Sequence, residues 1–339
     1  MASSFETLRK DKHIPGFAYA VVQDGKVSLA GGFGYADSNH TVVVTADTPF
    51  WIASVTKPFV ALSFLQLQEM QKVVFDELAA NTPHFTDLCE WLASTTIPFA
   101  EGLECDQPIT IQHILTHQVN APVGTQFMYN PIMYSRLSRY LEHKFGKGTD
   151  AVEGRHNYLG QHIEQHIFAP IGMTRSMASM WDRNKALVYQ EMADGYQVDK
   201  NGRRTKLRRP DKHIAGGAGI VSSVADLAKF EIAVQGDEFL SKSIKQKMLQ
   251  TAKYKNGESA AYGYGWYFQE LNEQPLMWHS GWDPEGGYSA IYLRLPEQNI
   301  ALILLANSEG LWWHNPLDTA EIEKSEFAQV LLRMLNITQ

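Results

Sequence analysis

Hydrophobic positions are distributed in three regimes along the chain. Near the N-terminus, Gly16–Gln23 and Lys26–Phe33 flank Asp24-Gly25, a two-residue turn signal, and predict a β-hairpin over 16–35. Residues 55–72 then read as a helix. Val60, Phe64 and Leu67 share one face at i, i+4, i+7. Phe59, Ala61, Leu62 and Leu65 make most of the remaining surface apolar, leaving Ser63 and Gln66 as a narrow polar strip. A helix apolar nearly all round is a core helix. Pro58 falls in its first turn, where a missing N–H costs little.

The middle, roughly 76–200, carries helical periodicity at 109–117, 133–145 and 158–168, with Gly146 and Pro170 as breakers. The polar, basic stretch 199–213 predicts a hairpin or linker, and 224–235 and 241–251 predict short helices. The pattern then changes to strands at Tyr262–Phe268, Leu276–His279, Tyr288–Leu295 and Ile300–Ala306, before a last helix over about 319–335. Strands at both ends with helices between predict an α+β fold. In this reading, residues 1–339 form one catalytic unit. Segments 1–75 and 205–339 build an antiparallel sheet flanked by helices, and 76–204 form a mostly helical subdomain. The cleft between the two is the natural place for a site.

Composition narrows the function classes. The chain has 339 residues, 44% hydrophobic and 20% charged, with a net charge of −7. That is an ordinary globular balance without a basic run, which argues against a nucleic-acid partner. The aliphatic run Ala301–Ala306 is far short of a membrane span. Met1–Glu6 lacks a basic region followed by an apolar stretch, so no signal peptide is expected. Cys89 and Cys105 lie outside any metal-type spacing and predict no disulfide framework, leaving a single bridge open. His113/His117 and His162/His166 are helical i, i+4 pairs, but Ile114 and Ile163 stand where a zinc motif needs glutamate. Gly216-Gly217-Ala218-Gly219 has no lysine in phosphate-loop register. No metal or cofactor is expected.

Candidate chemistry centres on Ser54-Val55-Thr56-Lys57. A serine hydroxyl is a poor nucleophile at neutral pH, and a nearby amine that takes its proton activates it. Spacing i, i+3 on a helix puts both side chains on one face. The positive end of a buried helix also suits developing negative charge. Serine is equally a favoured N-cap, so Ser54 read by itself has a purely structural alternative.

The flanks distinguish these readings. Thr48-Pro49-Phe50-Trp51-Ile52-Ala53-Ser54-Val55-Thr56-Lys57-Pro58-Phe59 resembles the nucleophile segment of the serine β-lactamase and penicillin-binding-protein superfamily, in its class C-like branch. That branch includes class C β-lactamases, D-alanyl-D-alanine carboxypeptidases, D-aminopeptidases and family VIII esterases. Similar segments follow in order: Ile14-Pro15-Gly16, Ile109–His117, Ile167–Met173, Ala215–Ser223 and Tyr262–Trp266. The resemblance spans nearly the whole chain and implies a β-lactamase/transpeptidase-like fold. It places Tyr129, in Tyr129-Asn130-Pro131, as the proton relay between Lys57 and the leaving group. It places His279-Ser280-Gly281 on a strand, with His279 as a donor or positive charge for a substrate carboxylate or carbonyl. Gly281 would let the substrate approach, and the amides of Ser54 and Trp282 would form an oxyanion hole. Ser280, Gly281, Trp282 and Asn130 are thus the expected substrate-binding set.

Two departures bear on substrate. Pro131 stands where the family has Asn, with Asn130 one residue early, so a side chain that orients lysine and substrate amide is lost. The chain also runs almost directly from His117 into Gly124, where relatives carry a segment that roofs the cleft; residues 80–106 look expanded in compensation. Trp278, Trp282, Tyr288, Trp312 and Trp313 read either as an apolar acyl pocket or as ordinary core and surface aromatics. The expected activity is an acyl-enzyme serine hydrolase, esterase-like on a small ester or amide. The alternatives are a D-amino-acid peptidase or weak β-lactamase, and an inactive binding relative.

Overall fold

The structure is a computed structural model that describes residues 1–120, 122–146, 157–178, 185–210 and 214–337. Twelve strands are formed among them. They are β1 (Gly16–Gln23), β2 (Lys26–Gly34), β3 (Phe50–Trp51), β4 (Tyr196–Val198), β5 (Arg204–Lys206), β6 (Val221–Ser222), β7 (Thr251–Lys253), β8 (Ser259–Gly263), β9 (Tyr267–Leu271), β10 (Gln274–Asp283), β11 (Tyr288–Leu295) and β12 (Ile300–Ala306). The α-helices are α1 (Ala2–Asp11), α2 (Thr56–Glu69), α3 (Phe85–Ala93), α4 (Ile111–Leu115), α5 (Pro131–Tyr134), α6 (Arg136–Phe145), α7 (Tyr158–Ile163), α8 (Ala186–Gln190), α9 (Val224–Gln235), α10 (Lys242–Met248) and α11 (Glu326–Met334).

Eight strands make one sheet in the order β2-β1-β12-β11-β10-β9-β8-β7, so the two ends of the chain meet where β1 pairs antiparallel with β12. Both faces of its centre are covered, which is why β11 and β12 are buried without alternation. Period two nevertheless sorts their side chains. Ala18, Ala20, Ile303 and Leu305 join the core shared with α2 and α9, whereas Phe17, Tyr19, Leu302 and Leu304 join Phe5 of α1 and Phe327 of α11. Phe59 of α2 meets Phe230 of α9 at 4.4 Å between ring centroids, which locks the core helix under the sheet. The α+β, β-lactamase/transpeptidase-like fold is as expected from sequence.

Several boundaries differ, each for a local reason. The 262–268 strand is two strands, because Gly265 at φ +83° turns the chain between β8 and β9. β10 runs four residues beyond His279, to Asp283, paired throughout with β11, so Ser280-Gly281-Trp282 is strand. The 133–145 helix is α5 followed by α6, and 319–335 shortens to α11 preceded by a 3-10 turn. The 199–213 stretch belongs partly to a hairpin of β4 and β5; residues 211–213 lie outside the described residues. Helix α1 was not anticipated, since Phe5 is its one fully buried anchor. Cys89 and Cys105 are disulfide-bonded, which settles the bridge the spacing left open. Among the described residues, no helix is long and apolar enough to cross a membrane.

Two short pairings fix the segment before α2. β3 pairs with β6, and the Ile52 amide donates to Ile220 O at 3.1 Å. The Ile220 amide in turn donates to Thr56 Oγ1 at 3.2 Å. A buried ion pair ties α9 to the sheet: Arg294 Nε donates to Glu231 Oε2 at 2.8 Å, and Tyr292 Oη donates to the same oxygen at 2.6 Å. Removing the cation leaves a buried carboxylate unpaired, so Arg294→Met is expected to cost about 3–5 kcal/mol in a urea unfolding titration. A loss below about 1 kcal/mol would contradict that reading.

Candidate active site

Ser54 lies in a 3-10 turn, Ala53–Val55, immediately before α2. Ala53 is held at φ 46°, a left-handed conformation that costs an alanine roughly 1–2 kcal/mol. The pairing of β3 with β6 and the Thr56 bond supply the constraint that keeps this kink, and the kink presents Ser54 at the positive end of α2. The Ser54 side chain is partly exposed, whereas Lys57 is fully buried. Lys57 Nζ stands 2.9 Å from Ser54 Oγ and donates to Gly217 O at 2.8 Å. Burial of the ammonium pushes its pKa well below the usual lysine range. In the neutral amine, one N–H serves Gly217 O and the lone pair is free for the Ser54 hydroxyl.

Gly217 has no chemical role in the sequence reading, where its run lacks a phosphate-loop lysine and otherwise counts only within the family-like segment Ala215–Ser223. The run has a packing role. A side chain at Gly216 would meet Tyr134 O at 2.7 Å, and one at Gly217 would meet Pro131 O at 2.9 Å. Glycines let this loop press onto α5 and bring its carbonyl to the lysine.

Tyr129 is buried, with its ring 4.7 Å from Lys57 Nζ. Burial raises its pKa, opposed by a hydrogen bond with Ser54, so it is a phenol and not a tyrosinate at neutral pH. Its ring is packed by His117 at 4.5 Å and, more distantly, by Tyr267 and His279. His117 and Tyr134 are further site residues that sequence reasoning missed. The Asn130 amide donates to His117 Nδ1 at 3.0 Å, directly beside Tyr129. Tyr134 is fully buried, its ring 5.5 Å from Lys57 Nζ. Their signals were a histidine at the end of the Ile109–His117 segment and a tyrosine five residues after Tyr129, both of which read as plain packing in the sequence.

Three of the expected binding residues have partners within the protein. His279 is not a cation facing the cleft. Its Nδ1–H donates to Ser280 O at 2.7 Å and its Nε2 faces Tyr262 Oη at 3.1 Å, so both ring nitrogens are occupied inside the protein. Burial, with Lys57 nearby, pushes its pKa well below 6.5 and keeps the ring neutral. Asn130 caps α5. Its Oδ1 accepts from the Met133 amide at 2.9 Å, while Nδ2 donates to Phe99 O at 2.9 Å and to Asn120 Oδ1 at 3.2 Å. Pro131 then sits at the first helical position, where its missing N–H and fixed φ suit an Asn-capped turn. At Gly281 the missing side chain makes room for the protein's own backbone: a Cβ there would stand 2.3 Å from Ile52 O. This close approach sets β10 against the Ser54 turn. Ser280 is nearly buried beside it, and Trp282 is 40% exposed, its indole stacked on Trp312 at 5.3 Å.

The metal-type pairs are used locally. His113 Nδ1 accepts from the Thr110 amide in a capping box, and His162 Nε2 faces Gln66 Oε1. Among the described residues, no cluster of three His, Cys, Asp or Glu side chains is placed to hold a metal ion.

The ordered segments and this geometry agree with a comparison against known families, in which the beta-lactamase profile matches residues 1–324. The chain belongs to the beta-lactamase family. Penicillin-binding protein 4* of Bacillus subtilis is 26% identical over 97% of this chain and 73% of its own length. Protein flp of Staphylococcus aureus is 26% identical over 87% of this chain, which spans only 60% of that relative. The octameric penicillin-binding protein homologue from Pyrococcus abyssi superposes with a TM-score of 0.75 at 24% identity, covering 99% of this chain and 77% of that one.

Two outcomes test the geometry. Gly281→Ala must push β10 off the Ser54 turn, and is expected to lower serine reactivity on the order of a hundredfold while the protein stays folded by circular dichroism. Reactivity within about threefold of wild type would mean the contact is dispensable. For Lys57, the folded-state pKa is lowered, so the unfolded chain binds the extra proton between that value and about 10.4. Stability from this group therefore rises with pH across that window. Relative to Lys57→Met, the wild type is expected to gain melting temperature between about pH 7 and pH 10; a constant gap would show that Lys57 is charged in the fold.

Proposed function

We propose that this family member is a serine hydrolase that forms an acyl-enzyme on Ser54 and acts most readily on small esters lacking a free carboxylate. The observation that carries the reading is a fully buried lysine amine 2.9 Å from the Ser54 hydroxyl. Ser54 Oγ attacks the substrate carbonyl carbon as its proton passes to Lys57 Nζ. The main-chain amides of Ser54 and Trp282 stabilise the oxyanion, a contribution of about 3 kcal/mol per donor. Tyr129 donates its phenolic proton to the departing alkoxide and regains one from the Lys57 ammonium. Water then attacks the acyl carbon as its proton passes to Lys57 Nζ, and the ammonium returns that proton to Ser54 Oγ as the acyl C–O bond breaks.

Two features support ester over peptide or β-lactam. A neutral, internally bonded His279 offers no cation to a substrate carboxylate. Pro131, with Asn130 committed to capping α5, leaves no side-chain amide at that point to recognise an amide substrate. An ester also has the better leaving group.

A fluorophosphonate probe is expected to label wild type and not Ser54→Ala. Tyr129→Phe should lose about 10²–10⁴ in kcat/KM on a chromogenic ester, the range of general acid–base contributions. Equal labelling of Ser54→Ala would remove the nucleophile assignment. Turnover of a chromogenic cephalosporin far above that of the ester would reverse the substrate preference.

A further inference from the structure

His117 grips the chain on both sides of Tyr129. The Met128 amide donates to His117 O at 2.9 Å, and the Asn130 amide donates to His117 Nδ1 at 3.0 Å. One residue thus accepts the N–H before Tyr129 with its backbone and the N–H after it with its side chain. His117 follows the C-cap of α4 at φ 53°, a left-handed conformation in which histidine and asparagine are over-represented. Its ring adds a second constraint. Tyr129 and Tyr134 lie against it at 4.5 and 4.8 Å between centroids, with interplanar angles of 33° and 28°. The same two rings face Lys57 Nζ at 4.7 and 5.5 Å, and Tyr129 hydrogen-bonds with Ser54. His117 is therefore one residue removed from the reacting atoms.

The protonation of the imidazole follows from its partner. Nδ1 accepts, so the single ring proton is on Nε2. Nε2 is buried and has no hydrogen-bond partner among the described residues. A buried donor without a partner is a cost to the fold. A phenylalanine would fill this place without that cost, but it could not accept the Asn130 amide. Burial holds the imidazole pKa well below the usual histidine range, so Nδ1 remains an acceptor at neutral pH.

We propose that His117 is a positioning residue for the general-acid step: by accepting the amides on both sides of Tyr129, it holds the phenol where it can reach the leaving group. The proposal rests on the acyl-enzyme reading above. A general acid works only within hydrogen-bond reach of the atom it protonates. A displacement of about 1 Å can cost on the order of a hundredfold in rate. The buried tyrosine has to be placed by its own backbone, and His117 fixes that backbone at both neighbours.

The test compares p-nitrophenyl acetate with ethyl acetate by kcat/KM, which covers only the steps up to the acyl-enzyme. Nitrophenolate leaves without a proton, whereas ethoxide needs the one that Tyr129 supplies. The ratio of the two values is independent of the fraction of active enzyme, so a merely destabilised protein does not move it. His117→Phe keeps a ring and loses the acceptor; it is expected to raise the p-nitrophenyl-to-ethyl ratio on the order of tenfold. His117→Asn tolerates the left-handed backbone and offers Oδ1 in place of Nδ1, and is expected to recover most of that change. In a Tyr129→Phe background there is no phenol to position, so adding His117→Phe is expected to leave the ratio where Tyr129→Phe alone puts it. An unchanged ratio in His117→Phe overturns the proposal, as does an equal further shift in the Tyr129→Phe background. An asparagine variant as impaired as the phenylalanine one overturns the role of the Nδ1 bond. If His117→Phe does not fold, His117→Ala is set against His117→Asn on the same ratio, with the same outcomes deciding. Fluorophosphonate labelling is run on every variant: its absence from wild type would strike the acyl-enzyme reading, whereas a labelled variant with an unchanged ratio strikes only the role of His117.

Discussion

Everything in the site depends on one amine kept away from water. Lys57 is fully buried, and the cost of holding an ammonium there makes the neutral amine its resting form. A neutral amine 2.9 Å from a serine hydroxyl is a base in position, with no histidine required. The surroundings serve that state. Tyr129 and Tyr134 place rings on the amine, and Gly217 gives it one carbonyl acceptor. His117 and His279 lie nearby, and burial, with Lys57 as a smaller cause, pushes both imidazoles well below the usual histidine range. One buried cluster thus gathers an amine, phenols and imidazoles whose pKa values are all shifted toward their neutral forms.

The scaffold's contribution is close approach. The Ser54 turn is caught between β6, which pairs with β3, and β10, which Gly281 lets in to contact Ile52 O. The kink at Ala53 survives because both sides are pinned. On the far side, Gly216 and Gly217 let their loop reach the amine across α5. Small residues at these contacts are therefore as consequential as the reactive ones, since each sets a distance between elements.

Much of this was legible in the residues. Local signals carried the core helix, the terminal strands, the Asp24-Gly25 hairpin and the Ser54/Lys57 spacing, because each depends on neighbours within a turn or two. The roles of His279, Asn130 and Gly281 were not legible, because each is decided by a partner far away in the chain. Tyr262 takes one nitrogen of His279 while the ring's own strand takes the other. Phe99 and Asn120 share the Asn130 carboxamide. Ile52 fills the space that Gly281 leaves. Asn130-Pro131 shows the difference well: as a motif it is a damaged Tyr-x-Asn, but in the fold it is an intact N-cap followed by a first-position proline.

The most direct test of the account is the rate at which a fluorophosphonate labels Ser54 as a function of pH, from about pH 5 to about pH 10.5. A lysine neutralised by burial predicts a rate that rises and reaches its plateau well below the ordinary lysine range, and that this limb disappears in Lys57→Met. A rate still climbing at about pH 10.4, the value of an unperturbed lysine, would show that the amine is charged in the fold and would contradict the central claim.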